Sequence, residues 1–490
     1  MKKLLLFFGL VGLLFMVSCN KDYLDTQNKE YVSAEQLDEL AASSPEALLA
    51  VSDGILGGSY AYMREFNTWT GGRHDDFGQK SIDLGLDLMS NDVVQVKDHW
   101  FGNYYAYRGR TEPFSTTHIV WNFYYSLVKN MNDIISFIPD DVERQDLKYV
   151  KARAMSVRGL AYYNLVRVYQ HTYAENQSSA GVPLYDGSSF DGQPRSSVQL
   201  VYDQILADLN ESFIGLEGYT RGGITDIDQS VVAGLLARVY LEIEDYGNAA
   251  SMANTAKSGY PLMSNDEWMS GFSNINNGEW LWGADIDAET STIYASFFSH
   301  MGNLDPGYAG LLAVYKSIDM RLYNAISDSD IRKSAFAGDD DVDGLPKYAN
   351  KKFKDLVSFF QGDYLYMRSA EMYLIEAEAL ANSGDEAGAK ALLVELIGPR
   401  DPNYNTSSNT GQALLNEIYV QRRIELWGEG FAWFDQKRLG VDLVREYEGS
   451  NHTTLGNFNY AYNANEMIYQ IPEDEINAND QINAEDQNPL

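Results

Sequence analysis

Between residues 230 and 261 the chain carries five residues where a pair of packed helices needs them. Ala237 and Tyr240 take the small and aromatic positions of a first helix, Ala249 and Ala256 the close-contact positions of a second, and Pro261 the place where the second must stop. Helices that cross at short range tolerate only small side chains at the crossing, so this spacing predicts a tetratricopeptide-like pair. Residues 364–397 repeat the pattern with Ala377, Leu380, Ala389 and Leu393 in register but without the closing proline. The two units are not separated by a whole number of ~34-residue periods, which excludes an uninterrupted solenoid. A mainly α fold is expected, with helix pairs forming a scaffold and long irregular insertions between them.

The remaining helical signals set the boundaries. Ser33 with Gln36 resembles a capping box, and Ser44-Pro45 offers a helix cap followed by proline at the first helical position. Apolar residues recur at helical spacing over 116–138 and 148–171, and helix returns from Ser197 to Leu209 after a loop that begins at Gly181-Val182-Pro183-Leu184. Strand-like alternation is scarce. Scaffold helices are therefore expected over about 33–55, 113–261 and 363–440 of a single domain, 33–490. Two stretches fit that scaffold poorly, about 56–112 and about 262–362, both rich in Gly, Asn, Asp and aromatic residues. Insertions on a rigid scaffold are where binding surfaces usually lie.

The first residues read as an export signal. Lys2 and Lys3 precede an uncharged apolar run, Leu4 to Val17, too short to span a bilayer comfortably. The run ends at Ser18-Cys19, the arrangement that lipoprotein processing accepts, and Cys19 is the only cysteine in the chain. Residues 1–18 are expected to be removed, Cys19 to be lipidated, and 19–32 to serve as a polar tether. With its one thiol so committed, the body has neither a disulfide nor thiolate chemistry. A formal charge of −33 argues against nucleic acid as a partner. Aromatic residues make up 13% of the chain, with 34 Tyr and 8 Trp, which permits a ligand held against ring faces.

Several segments together resemble the SusD/RagB family of nutrient-binding outer-membrane lipoproteins, in the family's order and over most of the chain. The most specific is Gln421-Arg422-Arg423-Ile424-Glu425-Leu426-Trp427-Gly428-Glu429-Gly430-Phe431-Ala432-Trp433-Phe434-Asp435-Gln436-Lys437-Arg438. Supporting it are Trp121 to Asn132, Lys151 to Tyr169, Tyr202 to Leu209, Arg368 to Leu380, and the tail with Ile471-Pro472 and Gln487-Asn488-Pro489. Gln421 stands where the family has Glu, and Ala432 where it has Arg, so part of the ion-pair network must differ. The resemblance implies a SusD-like helical fold with four tetratricopeptide-like pairs, sitting as a lid on a SusC-like TonB-dependent transporter. It also implies non-catalytic binding of an oligosaccharide or polysaccharide, with a peptide or protein ligand as the alternative, on the outside of the outer membrane. Asp22 and Asp25 are similar to signals that send such lipoproteins to the surface.

Charged groups set among aromatic rings must be paired, so Arg422, Arg423, Glu425, Trp427 and Trp433 are read as structural. Asp339, Asp341 and Asp343 open like a calcium loop, but its twelfth position is Asn350 rather than a bidentate Glu, which favours an exposed acidic turn. No nucleophile elbow, phosphate loop or zinc-protease motif is present, and no enzyme activity or cofactor is expected. The candidate ligand-binding residues lie in the insertions: Trp69, Asp75, Trp100, Phe101, Asn103, Tyr104 and Arg108 in the first, Tyr308 in the second. Ring faces would stack on sugar C–H faces while polar groups fix the hydroxyls. Trp280 and Trp282, in an apolar run, are expected in the core.

Overall fold

The computed structural model describes residues 39, 43–69, 71–188, 191–339, 341–355 and 358–490. Cys19, the export signal, the tether and the Ser33–Gln36 capping box lie outside them. The chain divides between Val51 and Ser52. Of the first unit the structure describes the start of helix α1 (Pro45–Tyr62), where Ser44 Oγ accepts the Ala47 N–H at 3.1 Å. The body, Ser52–Leu490, holds everything that follows.

Among the described residues the long helices after α1 are α2 (Gln79–Asp87), α3 (Ser115–Phe137), α4 (Gln145–Tyr169), α5 (Val198–Gly215), α6 (Gln229–Glu242), α7 (Tyr246–Lys257), α8 (Ser369–Asn382), α9 (Glu386–Ile397), α10 (Gln412–Glu425) and α11 (Ala432–Arg438). From α3 to α9 each helix packs on the next, and α10 joins α8. The crossings follow from the small residues: Ala237, Ala249, Ala256, Ala377 and Ala389 are all fully buried. Tyr240 is half-buried and donates its hydroxyl to Asn210 Oδ1 at 3.2 Å. Pro261 does not stop α7, contrary to its place in the repeat template. That helix already ends at Lys257, and the chain turns at Gly259, whose φ of 89° suits a residue without a side chain.

The broken period has a simple cause. α7 and α8 are neighbours in the file although the whole second insertion separates them in sequence, so the insertion loops out between two adjacent pairs. The first insertion begins later than the composition indicated, because α1 continues to Tyr62.

Among the described residues, eight short strands form four antiparallel two-stranded ladders: β1 (Val93–Gln95) with β5 (Lys316–Ile318), β2 (Ala180–Pro183) with β3 (Arg195–Ser197), β4 (Trp280–Ala284) with β6 (Tyr364–Arg368), and β7 (Leu443–Val444) with β8 (Asn459–Tyr460). Trp280 and Trp282 lie in the core on β4. The β1–β5 ladder pairs Gln95 with Lys316 and so ties the two insertions together.

A buried ionic network fastens the second insertion to the last helices. Glu425 accepts from Arg368 Nη1 at 2.9 Å, Arg332 Nη1 at 3.0 Å and Trp268 Nε1 at 2.8 Å. Lys352 Nζ reaches Glu429 at 2.6 Å and the carbonyls of Glu425 and Trp427. Gln421, the departure from the family pattern, supplies a neutral acceptor to Arg332 at 2.7 Å. At the other departure, the N–H of Ala432 donates to Asp87, whose carboxyl is pushed up to about 7 by burial despite that bond and one from Gly430. Arg422 pairs with Asp435, Arg423 with Asp92, the Trp427 indole donates to the Asp92 carbonyl, and Trp433 is fully buried.

Candidate functional site

The loop after α1 is shaped by Gly78 and Asp76. Gly78 has φ 77°, and a β-carbon there would sit 2.3 Å from the Met63 carbonyl oxygen, while Gln79 N donates to that same carbonyl. Only glycine lets the chain return so tightly. Asp76 then holds the loop from inside, accepting from Thr68 Oγ1 at 2.6 Å and Trp69 N at 3.0 Å. Burial raises its carboxyl above the usual range. The loop so fixed presents Arg73 and His74.

A second segment is folded by β1. Gln95 Nε2 donates to the carbonyls of Lys97 and Trp100, which closes the 95–100 turn against the β1–β5 ladder. Phe101 takes a left-handed conformation, φ 69°, and the chain turns into the short helix Gly102–Tyr105. Trp100 is thereby brought over the first loop. Its ring lies parallel to His74 with centroids 5.7 Å apart, and the Arg73 guanidinium stands 5.5 Å from it.

The third contribution comes from the second insertion. Tyr308 exchanges a 2.9 Å hydrogen bond with His74 Nδ1, stacks on His300 at 4.7 Å and meets His99 at 5.1 Å. His300, fully buried, backs onto Phe77. Burial, with Lys316 adding to it, holds its imidazole well below the ordinary range, so it is neutral at pH 7. Tyr294 continues the line at 6.1 Å from Tyr308 and leads through the buried Phe360 to Phe359. The result is a row of rings, Trp100, His74, Tyr308, Tyr294 and Phe359, whose far end is open: Tyr294 is 42% and Phe359 53% exposed. Leu311 and Leu312 are exposed too. Such a surface offers ring faces at its open end and hydrogen-bonding edges along the row, an arrangement suited to an amphipathic ligand.

Of the residues predicted from the sequence, Trp100 and Tyr308 come together, joined by His74. Trp69 does not join them; it stacks on His118 of α3 with centroids 4.9 Å apart. Phe101 and Tyr104 are corrected: at 1% and 0% exposure they are core side chains and present no face to a ligand. Asp75 is likewise buried, and its two oxygens are taken by Arg73 at 2.9 and 2.7 Å. The Asn103 carbonyl accepts from the N–H groups of Arg108 and Gly109, so this residue shapes the turn. Arg108 is exposed and faces Asp98 at 3.4 Å. Sequence reasoning missed His74, Tyr294 and Phe359 and assigned His99 no role. His99 had a signal, its place beside Trp100; Tyr294 and Phe359 had none, since they matter only through the insertion's path.

The acidic turn is occupied by ammonium groups. Lys347 pairs with Asp339 at 2.8 Å, and Lys351 bridges Asp341 at 2.9 Å and Asp343 at 3.0 Å. Among the described residues no group of three or more His, Cys, Asp or Glu could hold a metal ion, the histidines around Tyr308 included. No described helix is long and apolar enough to cross a membrane.

Comparison with known proteins converges on one group. Residues 347–490 match the model of the SusD family, and residues 86–241 match a model described as starch-binding, associating with the outer membrane. SusD-like protein P38 of Formosa agariphila is 24% identical over 495 residues, covering 88% of this chain and 90% of the relative. Among solved structures, a SusD-like carbohydrate binding protein of Bacteroides vulgatus is similar with a TM-score of 0.78 and 26% identity, over 90% of this chain and 98% of that one. A laminarin binding SusD-like protein shares the fold at a TM-score of 0.66 and 20% identity, over 89% and 98% of the two chains.

Proposed function

Because this chain belongs to the SusD/RagB family, we propose that it is a surface lipoprotein that captures a glycan on the Trp100–Tyr308 row of rings and passes it to a TonB-dependent transporter. The observation that carries the reading is the convergence itself. Two insertions more than two hundred residues apart meet through the Tyr308–His74 hydrogen bond, and their rings run from half-buried Trp100, His74 and Tyr308 to the exposed Tyr294 and Phe359. Sugar rings have apolar C–H faces and polar rims, which match ring faces flanked by His99 and Arg73. The carbohydrate-binding relatives support this choice of ligand.

A shallow platform binds modestly and releases quickly, as handing over a ligand requires. Binding is non-catalytic in this reading, and the anchor is lipid on Cys19. Affinity electrophoresis against a panel of polysaccharides tests the site. Trp100→Ala is expected to weaken retardation by the bound glycan at least tenfold, about 1.4 kcal/mol, with the circular dichroism spectrum unchanged. A folded Trp100→Ala protein that binds as well as the parent would sink the assignment, as would binding of peptides and of no glycan. Loss of radiolabelled palmitate incorporation in Cys19→Ala tests the anchor.

A further inference from the structure

We propose that the platform takes a neutral glycan whose hydroxyls carry acyl groups, acetyl esters above all. The inference rests on the platform being the glycan site and names the chemistry of its ligand. Eleven large apolar side chains are exposed among the described residues, and five of them, Ile293, Tyr294, Leu311, Leu312 and Phe359, belong to the row of rings or its borders. Three of the five are aliphatic: Leu311 is 66%, Ile293 52% and Leu312 45% exposed. Leu311 and Leu312 follow Tyr308 by three and four residues on a single helical turn and so share its face. Lys97 Nζ donates to the Leu312 carbonyl at 3.2 Å, which sets that pair beside the segment that carries His99 and Trp100. Ile293 borders the open end, next to Tyr294.

Backbone strain accompanies this exposure. Ile293, Ala313, Phe359 and Phe360 take left-handed φ values of 54°, 53°, 51° and 64°. A β-branched or bulky residue seldom adopts that conformation, and such strain collects where a surface binds something. The turns are fixed from within the chain. Ser291 Oγ donates to the Phe360 carbonyl at 2.7 Å, and Ser296 Oγ to the Ile293 carbonyl at 2.6 Å. On the other segment the buried Val314 returns its N–H to the Tyr308 carbonyl at 3.4 Å.

Charge gives the surface no other ligand. Arg73 is paired with the buried Asp75 and Arg108 with Asp98, His300 is neutral, and the exposed Asp285, Asp287 and Glu289 lead into Tyr294. A polyanion would be repelled by those carboxylates. A bare sugar hydroxyl laid on Leu311, Leu312 or Ile293 loses its hydrogen bonds to water and gains none. An acyl group in its place turns the same contact into apolar burial, strengthening binding about fourfold for each methyl or methylene removed from water. The exposed Lys97 ammonium, beyond its bond to the Leu312 carbonyl, has donors for the ester carbonyl.

Isothermal titration of the mature protein tests the inference with acetylated xylan, acetylated glucomannan and partially acetylated starch and laminarin. Each is set beside the same polymer after deacetylation. The expected result is that a polymer the protein binds is held about tenfold tighter in its acetylated form, the gain from burying one or two methyl groups. Leu311→Ser combined with Leu312→Ser should remove most of that preference with the circular dichroism spectrum unchanged. Ile293→Asn, which keeps a residue tolerant of the left-handed backbone, gives the same reading if the double variant fails to fold. Equal or weaker binding of every acetylated form, or a preference that survives these substitutions, overturns the inference but leaves the glycan site standing. A protein that sediments as a dimer and becomes a monomer with the leucines replaced overturns it as well, because a second copy would then cover them. Binding to no glycan in either form overturns both.

Discussion

Replacing Glu425 with glutamine changes one atom in a network that is otherwise electrically balanced. Four buried cations, Arg332, Lys352, Arg368 and Arg400, share the interior with four buried carboxylates, Glu279, Asp330, Glu425 and Glu429. Glutamine leaves one positive charge in excess and turns an amide N–H₂ toward either Arg332 or the Arg368 and Trp268 donors. Removing one partner of a buried ion pair typically costs about 3–5 kcal/mol, a large share of the roughly 5–15 kcal/mol that holds a protein folded. Urea unfolding followed by tryptophan fluorescence should show that loss, and hydrogen exchange should show the segment around Trp268, Glu279, Arg332 and Lys352 opening before the helix file. Adding Arg400→Met restores the charge balance and should recover part of the loss, since two nitrogens of that guanidinium have no hydrogen-bond partner among the described residues. The pH dependence gives an independent check. Burial alone would raise the Glu425 carboxyl, but Arg368, Arg400, Arg332 and Lys352 outweigh it and hold the group well below the usual carboxylate range. A carboxyl so depressed contributes stability above its unfolded value of 4.5 that fades as pH falls through it, so the gap between parent and variant should narrow in acid. A loss below about 1 kcal/mol at pH 7, or a gap that widens in acid, would refute the reasoning.

Lys316→Met should stabilise the protein. Burial lowers that ammonium from 10.5 to about 7, so the cost of the charge is fully present below pH 7 and fades as pH rises toward 10.5. A gain on the order of a few kcal/mol in urea at pH 6, vanishing by pH 10, is expected; a variant less stable at pH 6 contradicts it. Gly78→Ala should cost about 1–3 kcal/mol through backbone strain and collision with the Met63 carbonyl, and should weaken glycan binding by displacing Arg73 and His74. Unchanged melting and affinity would show that the turn has slack. Millimolar calcium should leave the melting temperature unmoved, because Lys347 and Lys351 already pair with Asp339, Asp341 and Asp343; a calcium-dependent rise would mean that the lysines yield.

The helix file was legible because its signals are local. A small residue must sit at each close crossing, so Ala237, Ala249, Ala377 and Ala389 mark the pairs from sequence alone, and the charged and aromatic block from Gln421 to Arg438 could be read as structural because unpaired charges cannot be buried. Local chemistry also gave the stop of α7 to the wrong residue, Pro261, because the turn at Gly259 depends on a backbone angle that spacing does not record. The site was half legible. Trp100 and Tyr308 stood out as aromatic residues in polar insertions, but so did Phe101 and Tyr104, and a ring's type does not say which way it faces. That was decided by the left-handed turn at Phe101, by the Gln95–Lys316 ladder and by a second insertion that leaves the file between two neighbouring pairs. Sequence by itself determined the scaffold, since each helix crossing is settled by residues a turn or two apart. Only the tertiary structure decided the binding surface, because His74, Trp100, Tyr308 and Tyr294 become one row solely through contacts between segments that sequence holds apart.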